Sequence, residues 1–113
     1  MIENTTRLQL QANISIPQES LTAFCQKWKI QELSFFGSVL RQDFRPDSDI
    51  DALVSFEEGA PWGLLELVRM KRELSTLLGR DVDLLTKKSI EQSHNWIRRK
   101  EILGTAQVIY VAG

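Results

Sequence analysis

Residues 34–54 read Ser34-Phe35-Phe36-Gly37-Ser38-Val39-Leu40-Arg41-Gln42-Asp43-Phe44-Arg45-Pro46-Asp47-Ser48-Asp49-Ile50-Asp51-Ala52-Leu53-Val54. An apolar stretch runs into Gly37-Ser38. Ten residues separate Ser38 from Asp49, and Asp49-Ile50-Asp51 leads into a second apolar stretch. Residues two apart in a strand face the same side, so Asp49 and Asp51 present paired carboxylates on one surface. Carboxylates that close repel each other unless a cation or a proton intervenes. Magnesium, which prefers oxygen ligands, is the natural cation. Gly37 allows a tight turn, and Ser38 opens a short helix whose free N–H groups suit a phosphate. A phosphate cradle beside metal-binding carboxylates is the equipment of a nucleotide-handling site.

The aspartates have a simpler reading as turn formers, because Pro46-Asp47-Ser48-Asp49 is ordinary loop composition. That reading covers Asp47 and reaches Asp49. It fails for Asp51, which stands between Ile50 and Ala52-Leu53-Val54. A core strand has no use for a carboxylate unless something beyond the backbone requires it.

Outward from this stretch, the chain reads as one domain spanning residues 1–113. Residues 1–14 alternate partly at Leu8, Leu10 and Ala12, the pattern of either an added edge strand or a loose arm. A helix is expected from Pro17, with Leu21, Phe24, Cys25 and Trp28 on one apolar face. Residues 32–36 read as a strand, with Leu33 and Phe35 facing one way. A short helix over 38–41 and a polar loop over 43–48 lead to a second strand over 49–56. After a turn region at 57–63, a long helix is expected over 64–78. Its stripe is Leu64, Leu67, Met70, Leu74 and Leu77, and Gly79 is its stop. A third strand follows at 81–85. A final helix runs from Ser93 or Asn95 to Gly104, with Ile97 and the Ile102-Leu103 pair inward, and a last strand or tail covers 107–111.

The third strand, Asp81-Val82-Asp83-Leu84-Leu85, again carries carboxylates two apart. Asp83 lies deeper in the apolar segment than Asp81 and is the better candidate for a third carboxylate. Three would complete a two-metal site, with ions about 3.5–4 Å apart clamping attacking and leaving oxygens. Arg41 either reaches a phosphate or pairs with a surface carboxylate such as Asp43. His94 sits in polar company and reads as a helix-start residue. Arg98-Arg99-Lys100 reads as a solvated helix face, with a partner surface or a phosphate as alternatives. Cys25 reads as a core residue.

Composition sets outer limits. Hydrophobic residues at 42% and charged residues at 26% are ordinary for a globular protein. A net charge of -1 gives no electrostatic case for nonspecific nucleic-acid binding. The single cysteine excludes an internal disulfide and fits a reducing, cytoplasmic setting. No apolar run is long enough for a membrane span, and the amino terminus lacks the order of a signal peptide.

Gly37-Ser38, ten residues, then Asp49-Ile50-Asp51 resembles the signature of the polymerase beta-like nucleotidyltransferase superfamily. Within it, Gly-Ser-Val-Leu-Arg and Arg-Pro-Asp-Ser-Asp-Ile-Asp resemble the minimal nucleotidyltransferases, short proteins usually encoded beside a HEPN-domain ribonuclease toxin. The resemblance extends from the Leu21 helix to the tail near Tyr110. The family commonly has glycine after the motif arginine, where this chain has Gln42. The resemblance implies an α/β (α+β) domain, a small mixed sheet covered by helices mainly on one face. It implies transfer of AMP from ATP, with Gly37, Ser38 and Arg41 toward the nucleotide. Asp49, Asp51 and Asp83 would hold magnesium, as two ions, or activate the acceptor. In antitoxins of this family the acceptor is a tyrosine of the HEPN toxin. Two other functions stay open: a non-catalytic antitoxin acting by complex formation, and a nucleotidyltransferase with a small-molecule or nucleic-acid acceptor.

Overall fold

A computed structural model describes residues 16–37 and 49–112. The expectations for residues 1–14, and those for Ser38, Arg41 and the segments 38–41 and 43–48, lie outside the described residues. The elements run α1 (Gln18–Lys27), β1 (Ile30–Phe36), β2 (Ile50–Phe56), α2 (Leu64–Leu78), β3 (Val82–Thr86), α3 (Lys87–Glu91), α4 (Trp96–Thr105) and β4 (Gln107–Val111).

The four strands form one sheet in the order β3-β2-β1-β4. β1 is antiparallel to both β2 and β4, whereas β2 and β3 run parallel. Parallel neighbours need a crossover rather than a hairpin, and α2 is that crossover. Side-chain alternation divides the apolar residues between two cores. Leu33 and Phe35 of β1, Ile50, Ala52 and Val54 of β2 and Val82 of β3 join α1 and α2 in the larger one. Phe36 and Leu53 face the other way, where Ile90 of α3 and Ile102 of α4 meet them in a smaller cluster. The helical weight thus falls on one face, and two short helices close part of the other.

α1 begins after Pro17, as its missing N–H permits, and buries Leu21, Phe24 and Cys25. Burial pushes the Cys25 thiol up to about 12, which makes it an inert core residue. The helix is tied to α2 through Glu73, which accepts from Lys27 Nζ (2.9 Å) and Trp28 Nε1 (3.2 Å). Trp62 packs edge-on against Trp28 at 5.2 Å between ring centroids and donates Nε1–H to the Trp28 carbonyl (2.6 Å).

α2 occupies the expected span. Glu66 accepts from the Gly63 N–H at its start (2.8 Å), and Gly79 at φ 72° ends it. The left-handed conformation suits glycine, which has no side chain to strain. The expected stripe is corrected at one position: Leu64 is 79% exposed, and Leu78 joins Met70 and Leu74 in the buried set. Leu65 is exposed as well, so the apolar spacing of the first turn meets no buried surface. Ile97 is likewise 62% exposed rather than inward, whereas Ile102 is buried. α3 was not expected; at five residues it is too short to display a period, and Thr86 caps it by accepting from the Ser89 N–H (3.2 Å).

Among the described residues no helix is long and apolar enough to cross a membrane. Leu74→Ala, at a fully buried position, is expected to cost about 2–5 kcal/mol in urea unfolding. Leu64→Ala should stay within about 0.5 kcal/mol of the parent.

Candidate active site

β1 ends at Phe36, and the chain turns at Gly37 with φ 75°. Two physical demands meet at this glycine. The positive φ strains any residue with a Cβ. In addition, a Cβ placed there would run into Oδ2 of Asp51. The Asp51 carboxylate therefore occupies the space that a side chain at residue 37 would fill. The glycine is needed for the acid as much as for the turn.

Asp51 is the cross-strand partner of Phe36 on one side and of Asp83 on the other. Neighbouring strands lie about 4.8 Å apart, so the two aspartates stand side by side on one face. That face is the one carrying Phe36 and Leu53, against which α3 and α4 pack. Asp51 is half-buried, while Asp49 and Asp83 are exposed. Burial first, then the charges of Asp83 and Asp49, push the Asp51 carboxyl above its ordinary value, and the Arg98 guanidinium opposes them.

The structure thus brings Gly37, Asp49, Asp51 and Asp83 to one end of the sheet. The depth expected to separate Asp83 from Asp81 is not found, since both are exposed. What separates them is register, because Asp83 sits opposite Asp51. Asp81 precedes β3 and uses its carbonyl to accept from the Ile50 N–H (2.9 Å). His94 is exposed just before the Asn95 cap of α4. Arg98 is the addition that sequence reading left on a solvated face; only the path of α4 shows which face that is.

The donor set suits a hard cation, because it consists of carboxylate oxygens without sulfur or imidazole. Among the described residues, no three His, Cys, Asp or Glu side chains are gathered closely enough to hold a metal ion. Among the described residues, a cleft of about 560 Å³ lies elsewhere. It opens at the far ends of β2 and β3, around Ser55, Phe56, Thr86 and Lys87.

A mixed sheet that presents paired aspartates beside a glycine turn is the frame of a nucleotide-handling α/β domain. Residues 18–109 match the family model described as nucleotidyltransferase domain, and the chain belongs to that family. It is 42% identical over 77 residues to a Methanocaldococcus jannaschii protein named "Putative protein adenylyltransferase MJ1217", covering 68% of this chain and 74% of that one. It is 39% identical over 66 residues to protein adenylyltransferase MntA of Thermococcus cleftensis, covering 58% and 65%. A solved structure described as that of a putative minimal nucleotidyltransferase matches 93% of both chains, at 32% identity and a TM-score of 0.60. The fold is also shared with a toxin–antitoxin crystal structure with AMP-PNP, at a TM-score of 0.64, 16% identity, and 86% and 75% coverage. The protein is a nucleotidyltransferase.

The Asp51 shift has a defined pH signature. A carboxyl whose folded value is raised burdens the folded state when ionised, and the burden lifts as pH falls through that value. Asp51→Asn should therefore raise the metal-free melting temperature at neutral pH. The gain should vanish as pH approaches the ordinary aspartate value of 3.8. Thermal melts of both proteins across that range check this.

Proposed function

We propose that this nucleotidyltransferase is an antitoxin that transfers AMP from ATP to a tyrosine hydroxyl of a HEPN ribonuclease toxin, with magnesium. The observation that carries the reading is the in-register pair Asp51 and Asp83 on parallel strands, with Asp51 seated against the bare backbone of Gly37. Like charges set side by side on neighbouring strands, one of them half-buried, cost stability, so a chain that served only as a cover would have no use for them. Relatives named protein adenylyltransferase support a protein acceptor. A shared fold with a toxin–antitoxin structure with AMP-PNP supports the nucleotide and the kind of partner.

In this reading Gly37 lets the triphosphate approach the backbone, and Ser38 and Arg41 complete the cradle. Asp49, Asp51 and Asp83, which are not gathered closely enough for a metal ion as they stand, would have to close on magnesium, and the ion would supply charge neutralisation at the phosphates. The tyrosine oxygen attacks the α-phosphorus, the bond to the bridging oxygen breaks, and pyrophosphate leaves. Asp83, the exposed member of the pair, would take the tyrosine proton. The acceptor in this reading is another protein, in keeping with the relatives named protein adenylyltransferase. Adenylylation would put a bulky anionic group on the toxin and hinder entry of RNA.

Incubation with ATP, magnesium and the cognate toxin should add the mass of AMP to one toxin tyrosine and lower ribonuclease activity. An Asp49→Asn/Asp51→Asn double variant that neutralises the toxin in cells as well as wild type would instead favour neutralisation by complex formation. In the same transfer assay Asp83→Ala should lose at least about a hundredfold, the low end of a general-base contribution. Asp81→Ala should retain wild-type activity; equal losses would remove Asp83 from the site.

A further inference from the structure

The chain leaves β3 at one edge of the sheet and begins β4 at the other. α4, which immediately precedes β4, lies on the way back across the face that carries Asp51. Its position is fixed by Ile102, which packs with Phe36 and Leu53. Those two residues flank Asp51, Phe36 as its cross-strand partner and Leu53 as the next residue on the same face. Arg98 is four residues before Ile102, hence one turn earlier on the same side of the helix. That places it on the side of α4 that meets Phe36 and Leu53, the two residues beside Asp51. Its guanidinium is near enough for its charge to act on Asp51.

The neighbouring basic residues are disposed differently. Arg99 donates from Nη1 to the Ser93 carbonyl (2.8 Å) and fastens the start of α4. Lys100 is exposed, two positions beyond Arg98 and so on another side of the helix. The ion pairs seen among the described residues, Lys27–Glu73 and Lys87–Glu32, do not include Arg98.

We propose that Arg98 binds the β- and γ-phosphates of the donor nucleotide and so positions the pyrophosphate leaving group, from the place α4 gives it above the Asp51–Asp83 pair. Its planar fork matches phosphate oxygens in two-point contact, and it keeps its charge at every relevant pH. Without nucleotide, its charge partly offsets the aspartates. With nucleotide, the guanidinium turns to the polyphosphate, leaving the carboxylates to the cation. The assignment rests on the nucleotidyltransferase reading and deepens it by giving a residue outside the Gly-Ser and aspartate motif a role at the same site.

The test is calorimetric binding of ATP and of AMP, each with magnesium, to the full chain and to Arg98→Ala, Arg98→Lys and Lys100→Ala. Arg98→Ala should weaken ATP binding at least about tenfold, as loss of a charged hydrogen bond implies. AMP, which lacks the β- and γ-phosphates, should bind within about twofold of wild type; Arg98→Lys should recover part of the ATP affinity, and Lys100→Ala should match wild type. ATP and AMP weakened equally would make Arg98 a general electrostatic balance and overturn the assignment. ATP affinity unchanged in Arg98→Ala, with only the KM for the toxin raised, would move it to the partner surface. An equal loss in Lys100→Ala would reduce the effect to net charge and also overturn it. Wild-type protein that binds no nucleotide would remove the nucleotidyltransferase site itself, a result distinct from all of these. Thermal melts keep folding in view, and the exposed side chain of Arg98 makes its loss compatible with a native fold.

Discussion

The carboxylate of Asp51 rests against the α-carbon of Gly37, and most of the architecture follows from keeping that acid in place. β1 must end in a left-handed glycine, because any side chain there would strike Asp51. β2 must present residue 51 away from the larger core, which its alternation achieves by sending Ile50, Ala52 and Val54 inward. β3 must pair in parallel with β2, so that Asp83 comes opposite Asp51 rather than Leu84. A slip of one residue would turn Asp83 to the other face and bring Val82 or Leu84 outward. The crossover helix α2 makes the parallel pairing possible, and its Met70, Leu74 and Leu78 anchor it to the core.

The interaction that organises the site is also unfavourable in the metal-free protein. Burial and two neighbouring carboxylates act against the ionised form of Asp51, and a single guanidinium acts for it. A site strained in this way favours a cation on the carboxylates and a polyanion on the arginine. In the proposed reading a magnesium nucleotide would bring both.

Much of this was legible in the sequence where local chemistry decided it. α2 and its glycine stop, the strand leading into Gly37, and the misfit of Asp51 in an apolar run all followed from spacing and residue type. The family signature in Gly37-Ser38 and Asp49-Ile50-Asp51 agrees with the family match over residues 18–109. What was not legible depended on tertiary placement. Leu64 and Ile97 have apolar character but no surface opposite them, so periodicity overstated their burial. Asp83 was chosen for depth, whereas its distinction from Asp81 comes from strand register, which no single strand encodes. Arg98 looked like one of three equivalent cations until the return of α4 across the sheet set it apart from Arg99 and Lys100.

In the proposed function one end of this sheet is a donor site in which carboxylates hold a cation and the cation holds a nucleotide. Calorimetric titration of the wild-type chain with ATP, in magnesium and then in a chelator, tests it most directly. Binding that is saturable with magnesium and lost in the chelator is the predicted result. ATP binding of equal strength without the metal would contradict the claim, because the aspartates would then face the phosphates with nothing between them.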